Sequence, residues 1–595
     1  MSMTTQNYKK KLIEVAIPLE AINAASAKEK NIRHGHPSTL HLWWARRPLA
    51  ACRAVLFAQL VDDPSEYVDE LLADKGTKAK AEWALKERLA GRKKRAQEGA
   101  SLPSDEQPIT LEDCAEGIER QRLFDIIKDL VVWENSVNEE VIERARVEIR
   151  RCCNDELPSI YDPFSGGGSI PLEAQRLGLP AFGSDLNPVA VMIGKAMIEI
   201  PPKFRNWAPI HPGPKARNHY RKAEGLAEDV KYYGEWMREK ARERIGKLYP
   251  QVELPKEYGG GRATVIAWIW TKTVRSPDPA FSDASVPIAS SFALSTTAEK
   301  LAWIEPHIDR AAREITYSLR YEGTAAQIEK AKAGTKRTGA NFECLFSGAV
   351  ITPDYIREAG RAGRIGSQLM AIVAEGANGR IYLPPVPLHE DAALASKAAW
   401  RPVTSFEPNA LGFRVGNYGY KTWGDFFTER QLIALNAFKE TLVEARVKIR
   451  EDAEMAFLSQ GPGDGVHTAE DYANALAVYL SFVFSKCCDY WSSNCSWHSS
   501  KQLIRNTFGG QKLPMVWDYA EANPFSGSTG NWNSMLEWVC KVLAAVPAAG
   551  EAACVQAEAQ SIEYRAGAVV STDPPYFDYI GYADLSDFFY CWLKP

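Results

Sequence analysis

Asp162-Pro163-Phe164-Ser165-Gly166-Gly167-Gly168 and Asp573-Pro574-Pro575-Tyr576 are the two segments whose residue types could do chemistry. In the first, consecutive glycines let the backbone turn sharply and approach a ligand without Cβ clashes. Residues 169–177 then pattern as a helix with Pro171 in its first turn, and its N-terminal amides point at the same spot. A Walker phosphate loop would need Gly-Lys-Ser/Thr after the glycines, where Ser169-Ile170 stands, and G-x-G-x-x-G fits poorly. The next strand pattern ends in Asp185, followed by Leu186-Asn187-Pro188; an acid there can accept hydrogen bonds from both ribose hydroxyls of a nucleoside. Asp162, at the first strand end, would repel a pyrophosphate but suits a sulfonium or an ammonium. These residues favour S-adenosylmethionine over NAD or ATP. The plain alternative is a tight strand–helix turn without a ligand.

Asp573-Pro574-Pro575-Tyr576 follows an apolar strand pattern over 566–570, placing it at a strand's carboxyl end, where open α/β sheets bind ligands. Its residues suit transfer to an exocyclic amine, a poor nucleophile because its lone pair is delocalised into the ring. The Asp573 carboxylate and the Pro574 carbonyl can accept the amine's N–H bonds and hold the nitrogen towards sp³ geometry. Pro575 fixes the turn, and Tyr576 offers a π-face to a base taken out of its stack. Positioning and polarisation suffice, without metal or covalent intermediate. The alternative is a surface Pro-Pro turn beside an acid.

Elements that must position these residues can be read along the chain. Residues 1–60 carry an apolar-periodic run (Leu12, Val15, Ala16, Leu19, Ile22), His36-Pro37-Ser38 and the cluster Trp43-Trp44-Ala45-Arg46-Arg47. A charged helical insertion follows over 61–155. Within it, residues 75–95 hold nine basic and two acidic residues, either a solvated helix face or a phosphate-facing patch. Residues 156–204 read as strand, turn, helix, strand: a cofactor-binding βαβ unit. Then come a helical insertion over 205–262, a turn-rich β region over 263–400 and a helical, target-recognition region over 401–560. A last segment, 561–595, carries the strand and Asp573.

Composition bounds the class. Of 595 residues, 45% are hydrophobic and 25% charged, which excludes disordered and fibrous classes. A net charge of −4 means the whole chain is no basic nucleic-acid coat, although a local basic face remains open. No apolar run approaches a membrane span, and no secretory signal is visible at the N-terminus. The 11 cysteines have irregular spacing and do not read as a disulfide framework, so a reducing cytoplasm is the simplest setting.

With these motifs in hand, the sequence resembles the amino-methyltransferases of DNA. More narrowly, it is similar to large bacterial and archaeal adenine-specific DNA methylases that begin with a domain of unknown function, carry an internal zinc ribbon and in some cases sit in phage-defence loci. The resemblance runs through residues 11–20, 36–49 and 162–188, then Tyr418-Gly419-Tyr420-Lys421-Thr422-Trp423-Gly424-Asp425, 513–521 and 573–593. It implies an α/β fold: a Rossmann-like class I methyltransferase core, interrupted by large helical and small β insertions. It implies S-adenosylmethionine as donor, adenine N6 as target, and DNA as partner, with restriction or defence proteins as further candidates. Asp573, Pro574, Pro575 and Tyr576 would hold and stack the base. Asp162, Phe164, Gly166, Gly168, Asp185 and Asn187 would hold the cofactor, with Arg46 and Pro48 closing over its methionine end. For Arg46-Arg47 the alternative is an arginine pair on a surface helix.

The chain departs from the family's ribbon. Ser276-Pro277-Asp278-Pro279-Ala280-Phe281 and Cys344-Leu345-Phe346-Ser347-Gly348 keep only Cys344, so no zinc is expected and strands and packing must hold the region. Cys487, Cys488, Cys495 and His498 have no finger spacing and read as buried thiols. Rival functions are an RNA guanine-N2 amino-methyltransferase and a non-catalytic nucleic-acid-binding component. Few residues follow Tyr576, so further strands of the sheet are expected to be missing. A C-terminal complementing segment is then a candidate partner, and the isolated chain is expected to bind cofactor weakly and methylate poorly.

Overall fold

The computed structural model describes residues 9–33, 35–97, 108–407, 413–460, 467–510, 512–576 and 580–594. Residues 1–8 of the first segment and 577–579 of the last resemblance stretch lie outside the described residues. The chain is mixed α/β with several sheets, divided into two units.

The first unit comprises Met1–Ser38, Ala45–Arg205 and Ala545–Pro575. Its sheet is built from β1 (Ile160–Asp162), β2 (Ala181–Asp185), β3 (Ala552–Gln556) and β4 (Val569–Val570), in the order β3-β2-β1-β4. Every pairing is parallel, so all four carboxyl ends lie on one edge. Tyr161 is opposite Phe182 on one side and Val570 on the other, which brings the chain after β4 alongside Asp162.

The helices of this unit are α1 (Leu19–Glu29), α2 (Leu49–Leu60), α3 (Lys75–Gln97), α4 (Leu111–Val131), α5 (Ser169–Arg176) and α6 (Pro188–Gly194), with Glu139–Cys152 between α4 and β1. The apolar run near the N-terminus is broken at Ile17-Pro18 into a single turn, Leu12–Val15, and α1. Helix α2 is apolar all round and packs against α1, α4 and α5, as a helix without a polar face must. Its one charged residue, Arg53, is fully buried and pairs with Glu173 of α5 at 2.9 Å; Glu173 also accepts from Arg176 Nε at 3.0 Å. Helix α6 lies against β3 so closely that a Cβ on Gly194 would stand 2.4 Å from Cys554 Sγ.

The second unit comprises Thr39–Trp44, Asn206–Ala544 and Tyr576–Pro595. An antiparallel sheet runs Gly379–Leu383, Gly366–Gly376, Val265–Arg275, Asp518–Ala522. Helices Glu224–Ile245, Glu429–Gln460 and Ala469–Tyr490 pack together. Arg430 is buried in a two-point ion pair with Glu521, both bonds 2.9 Å, with its guanidinium 4.2 Å from the centre of the Trp268 ring. Cys487, Cys488 and Cys495 are buried free thiols. Within residues 263–400, Ser276 Oγ lies 3.2 Å from Cys344 Sγ, and Phe281 stacks on Phe346 at 5.3 Å.

Three sequence expectations need correction. Residues 401–560 are not only helical: Asp518–Ala522 joins the antiparallel sheet and β3 is a strand of the parallel sheet. Asp518–Ala522 is buried along nearly its whole length and Ala552–Gln556 is a short edge strand, so neither carries a clear apolar–polar alternation. Residues 205–262 likewise contain the short antiparallel pair Val252–Glu253 and Arg262–Ala263 beside their helix. The strand read over 566–570 shortens to Val569–Val570, since Ala566 and Gly567 form a turn with Gly567 at φ 73°.

Glu173→Ala would leave Arg53 and Arg176 buried without their carboxylate. Urea unfolding should show a loss of about 3–5 kcal/mol; an unchanged midpoint would mean that the pair contributes nothing.

Candidate functional site

Each candidate residue of the first unit is placed by a strand or helix end. Asp162 closes β1, and the turn after it is pinned by Phe164 N–H donating to Asp162 Oδ1 at 3.2 Å. Gly166 and Gly168 adopt φ of 46° and 73°, the left-handed region in which a side chain would be strained. That turn delivers the amide of Gly166 to Asp185 Oδ2 at 2.9 Å, so the glycine loop and the end of β2 are tied directly. Asn187 N–H donates to Asp185 Oδ1 at 2.9 Å, while its side chain caps α6 by accepting from Val189 N–H at 3.0 Å. Phe164 and Leu186 are exposed on the rim, at 39% and 64%.

After β4, Thr572 Oγ1 donates to Asp162 Oδ1 at 2.7 Å. Asp573 follows at once, and both of its oxygens are engaged by Arg47 through Nε and Nη2. Ser169, the first residue of α5, donates its hydroxyl to Arg47 O at 3.0 Å. Arg46 lies over the glycine loop, with Nη1 donating to Gly167 O. A Cβ on Gly167 would meet Arg46 Cζ and Nε at 3.0 Å, so any larger residue would press the guanidinium out of its place. Arg46 Nε and Nη2 are buried without a hydrogen-bond partner. Pro48 stands at the N-terminus of α2, whose amides at Leu49 and Ala50 donate to Glu29 at 2.8 and 2.9 Å. Glu29 also takes His36 Nε2 at 2.9 Å, so one buried carboxylate fixes where the chain turns into α2 just after the two arginines.

The electrostatics follow from this crowding. Burial pushes the Asp162 carboxyl up to about 7, with Asp185 and Asp573 adding to the rise against the hydrogen bonds from Thr572 and Phe164. Burial also raises Asp185, opposed by the amides of Asn187, Gly166 and Leu186. Arg46 is drawn down to about 10 by burial and stays cationic at neutral pH, helped by Glu29.

The family model described as Protein of unknown function (DUF1156) matches residues 16–88. No curated protein and no solved structure matches the chain. The matched segment is the one that brings Glu29, Arg46 and Arg47 to the glycine loop.

The structure thus gathers Asp162, Gly166, Gly168, Asp185, Asn187, Arg46 and Asp573 at one edge of one sheet. Tyr576 opens a segment of the second unit and is 65% exposed. The sequence reading missed the partnership of Thr572 with Asp162, of Arg47 with Asp573, and the anchoring role of Glu29. Adjacency to Asp573 was the available signal for Thr572; the others connect residues remote in sequence.

The raised Asp162 carboxyl makes a pH prediction. The folded chain keeps a proton that the unfolded chain loses near the ordinary value of 3.8, so stability falls as pH rises from there to about 7. Asp162→Asn should escape that fall. Urea unfolding at pH 5 and pH 8 should therefore show the variant gaining a few kcal/mol on the native chain at the higher pH; parallel curves would refute the assignment.

Proposed function

We propose that this chain is an S-adenosylmethionine-dependent methyltransferase acting on the exocyclic N6 of adenine in DNA. One juxtaposition carries the reading: a buried guanidinium with two orphaned nitrogens over a side-chain-free loop, beside carboxylates at neighbouring strand ends. A ligand that fits must offer a carboxylate, a cation and a diol at once. The order β3-β2-β1-β4, with the glycine loop after β1 and Asp573 after β4, supports a Rossmann-like methyltransferase core.

In this reading the residues divide the work. Arg46 Nε and Nη2 receive the methionine carboxylate, and Asp162 faces the positive end of the same moiety. Asp185, already oriented by the amides of Gly166 and Asn187, accepts the ribose hydroxyls. The bound cofactor supplies an electrophilic methyl group on its sulfonium. Asp573 and the Pro574 carbonyl hold the N–H bonds of the target amine. Arg47 fixes the Asp573 carboxylate at both oxygens yet leaves lone pairs on each for the amine. Tyr576, 65% exposed, is the residue assigned to stack on the base. Hydrogen bonds to charged groups contribute about 1.5–3 kcal/mol, so losing Arg46 is a serious loss of cofactor affinity.

The full chain, incubated with methyl-labelled S-adenosylmethionine and unmethylated duplex DNA, should place label at N6 of adenine. Asp573→Ala should abolish transfer, and Arg46→Ala should weaken cofactor binding by about 10- to 100-fold. Label found only in guanine of tRNA or rRNA would contradict the DNA assignment. Unchanged transfer by Asp573→Ala would contradict the residue assignment.

A further inference from the structure

Helix α3 carries nine basic residues against Glu82 and Glu87 between positions 75 and 95, in a chain whose net charge is −4. At about 100° per residue, Ala81, Ala84 and Leu85 share one face, and that face packs on α4 around Cys114, Ala115 and Ile118. Lys75, Lys86 and Lys93 align on the opposite face, flanked by Lys80 and Trp83, and all five are exposed.

A solvated helix face explains neither of two features. Basic residues of α4 pair with acids on their own helix, as in Arg120–Glu116, Arg122–Glu119 and Lys128–Asp125. Among the described residues, Lys78, Lys80, Lys86 and Lys93 form no ion pair of that kind; Asp74 near the helix start feels the charge of Lys80, and two acids on the helix leave most of its positive charge unmatched. Trp83 is 66% exposed between Lys80 and Lys86, one turn to either side. A lone exposed aromatic is ordinary by itself, but a ring set between two lysines joins an apolar face to positive charge on one surface. A partner with dense negative charge and apolar sugar or base surface satisfies both at once. The 23 residues of α3 extend roughly 34 Å, about one turn of duplex.

We propose that the outer face of α3 is a contact surface for the phosphate backbone of duplex DNA, with Trp83 packed on the sugar edge. It rests on the reading of DNA as substrate and adds where flanking duplex is held. Helix α2, 12 residues and about 18 Å long, separates Arg47 from the stretch leading to α3. Contacts on α3 therefore govern affinity and leave the transfer step alone.

The test uses the full chain and a 30-base-pair duplex, with affinity read by fluorescence anisotropy between 50 and 300 mM salt. Substituting Lys75→Gln, Lys80→Gln, Lys86→Gln and Lys93→Gln together should weaken binding about tenfold or more and flatten the log–log salt slope by about 3. S-adenosylmethionine affinity should not change. The milder pair Lys86→Gln with Lys93→Gln should flatten the slope by nearly 2, and it serves if the fourfold variant fails to fold. Trp83→Ala should weaken binding without altering the slope. Unchanged slope and affinity in the lysine variants would overturn the proposal, as would a loss of affinity for a 30-nucleotide RNA but not for the duplex. Duplex binding through α3 without any adenine methylation would sink the proposed activity and leave this surface standing. Methylation with binding indifferent to α3 would do the reverse.

Discussion

Carboxylates at adjacent ends of parallel strands repel one another, the more so where one of them is buried. Asp162 is buried in that position with the half-buried Asp185 beside it, and the strand ends around them supply the hydrogen bonds that hold both. Backbone amides from the glycine loop and from the turn into α6 satisfy Asp185, and Thr572 reaches over from β4 to Asp162. Those bonds do not neutralise Asp162, whose carboxyl remains raised. Positive charge reaches the same edge from outside the sheet, Arg47 on Asp573 and Arg46 over the glycine loop.

How the arginines arrive is a matter of helix ends. Glu29 binds the first amides of α2, where the helix dipole already favours an anion, and so fixes the direction of the chain just after Arg46, Arg47 and Pro48. Ser169 holds the Arg47 carbonyl from the start of α5. Helix α2 is held in place by burial around most of its circumference and by the pairing of Arg53 with Glu173. The segment matching DUF1156 therefore acts in this chain as a strap that sets two guanidinium groups against the sheet edge.

Much of this was legible in the sequence, for local reasons. Strand β1, the glycine turn, α5 and β2 lie within one short stretch, where turn chemistry and helix capping decide the structure without distant help. The placing of Asp573 at a strand's carboxyl end was legible through the apolar run before it. Strand β3 was not: Ala552-Ala553-Cys554-Val555-Gln556 has weak strand character and forms because β2 offers a parallel edge with Gly194 making room for Cys554. The pairing of Arg47 with Asp573, and of Glu29 with α2, joins residues that only tertiary packing brings together. In the second unit, no residue pattern foretold that Arg430 and Glu521 would be buried as a pair beneath Trp268.

In the proposed reading Asp162, its carboxyl raised to about 7, is partly protonated at neutral pH and ionises beside a cationic ligand. Calorimetric titration of the full chain with S-adenosylmethionine at pH 6, in two buffers of different ionisation heat, tests it most directly. The predicted result is binding accompanied by release of roughly one proton, as a carboxyl raised to about 7 ionises beside the cation. Affinity should rise towards pH 8, and Asp162→Asn should remove both effects. No binding at either pH, or binding that releases no proton, would contradict it.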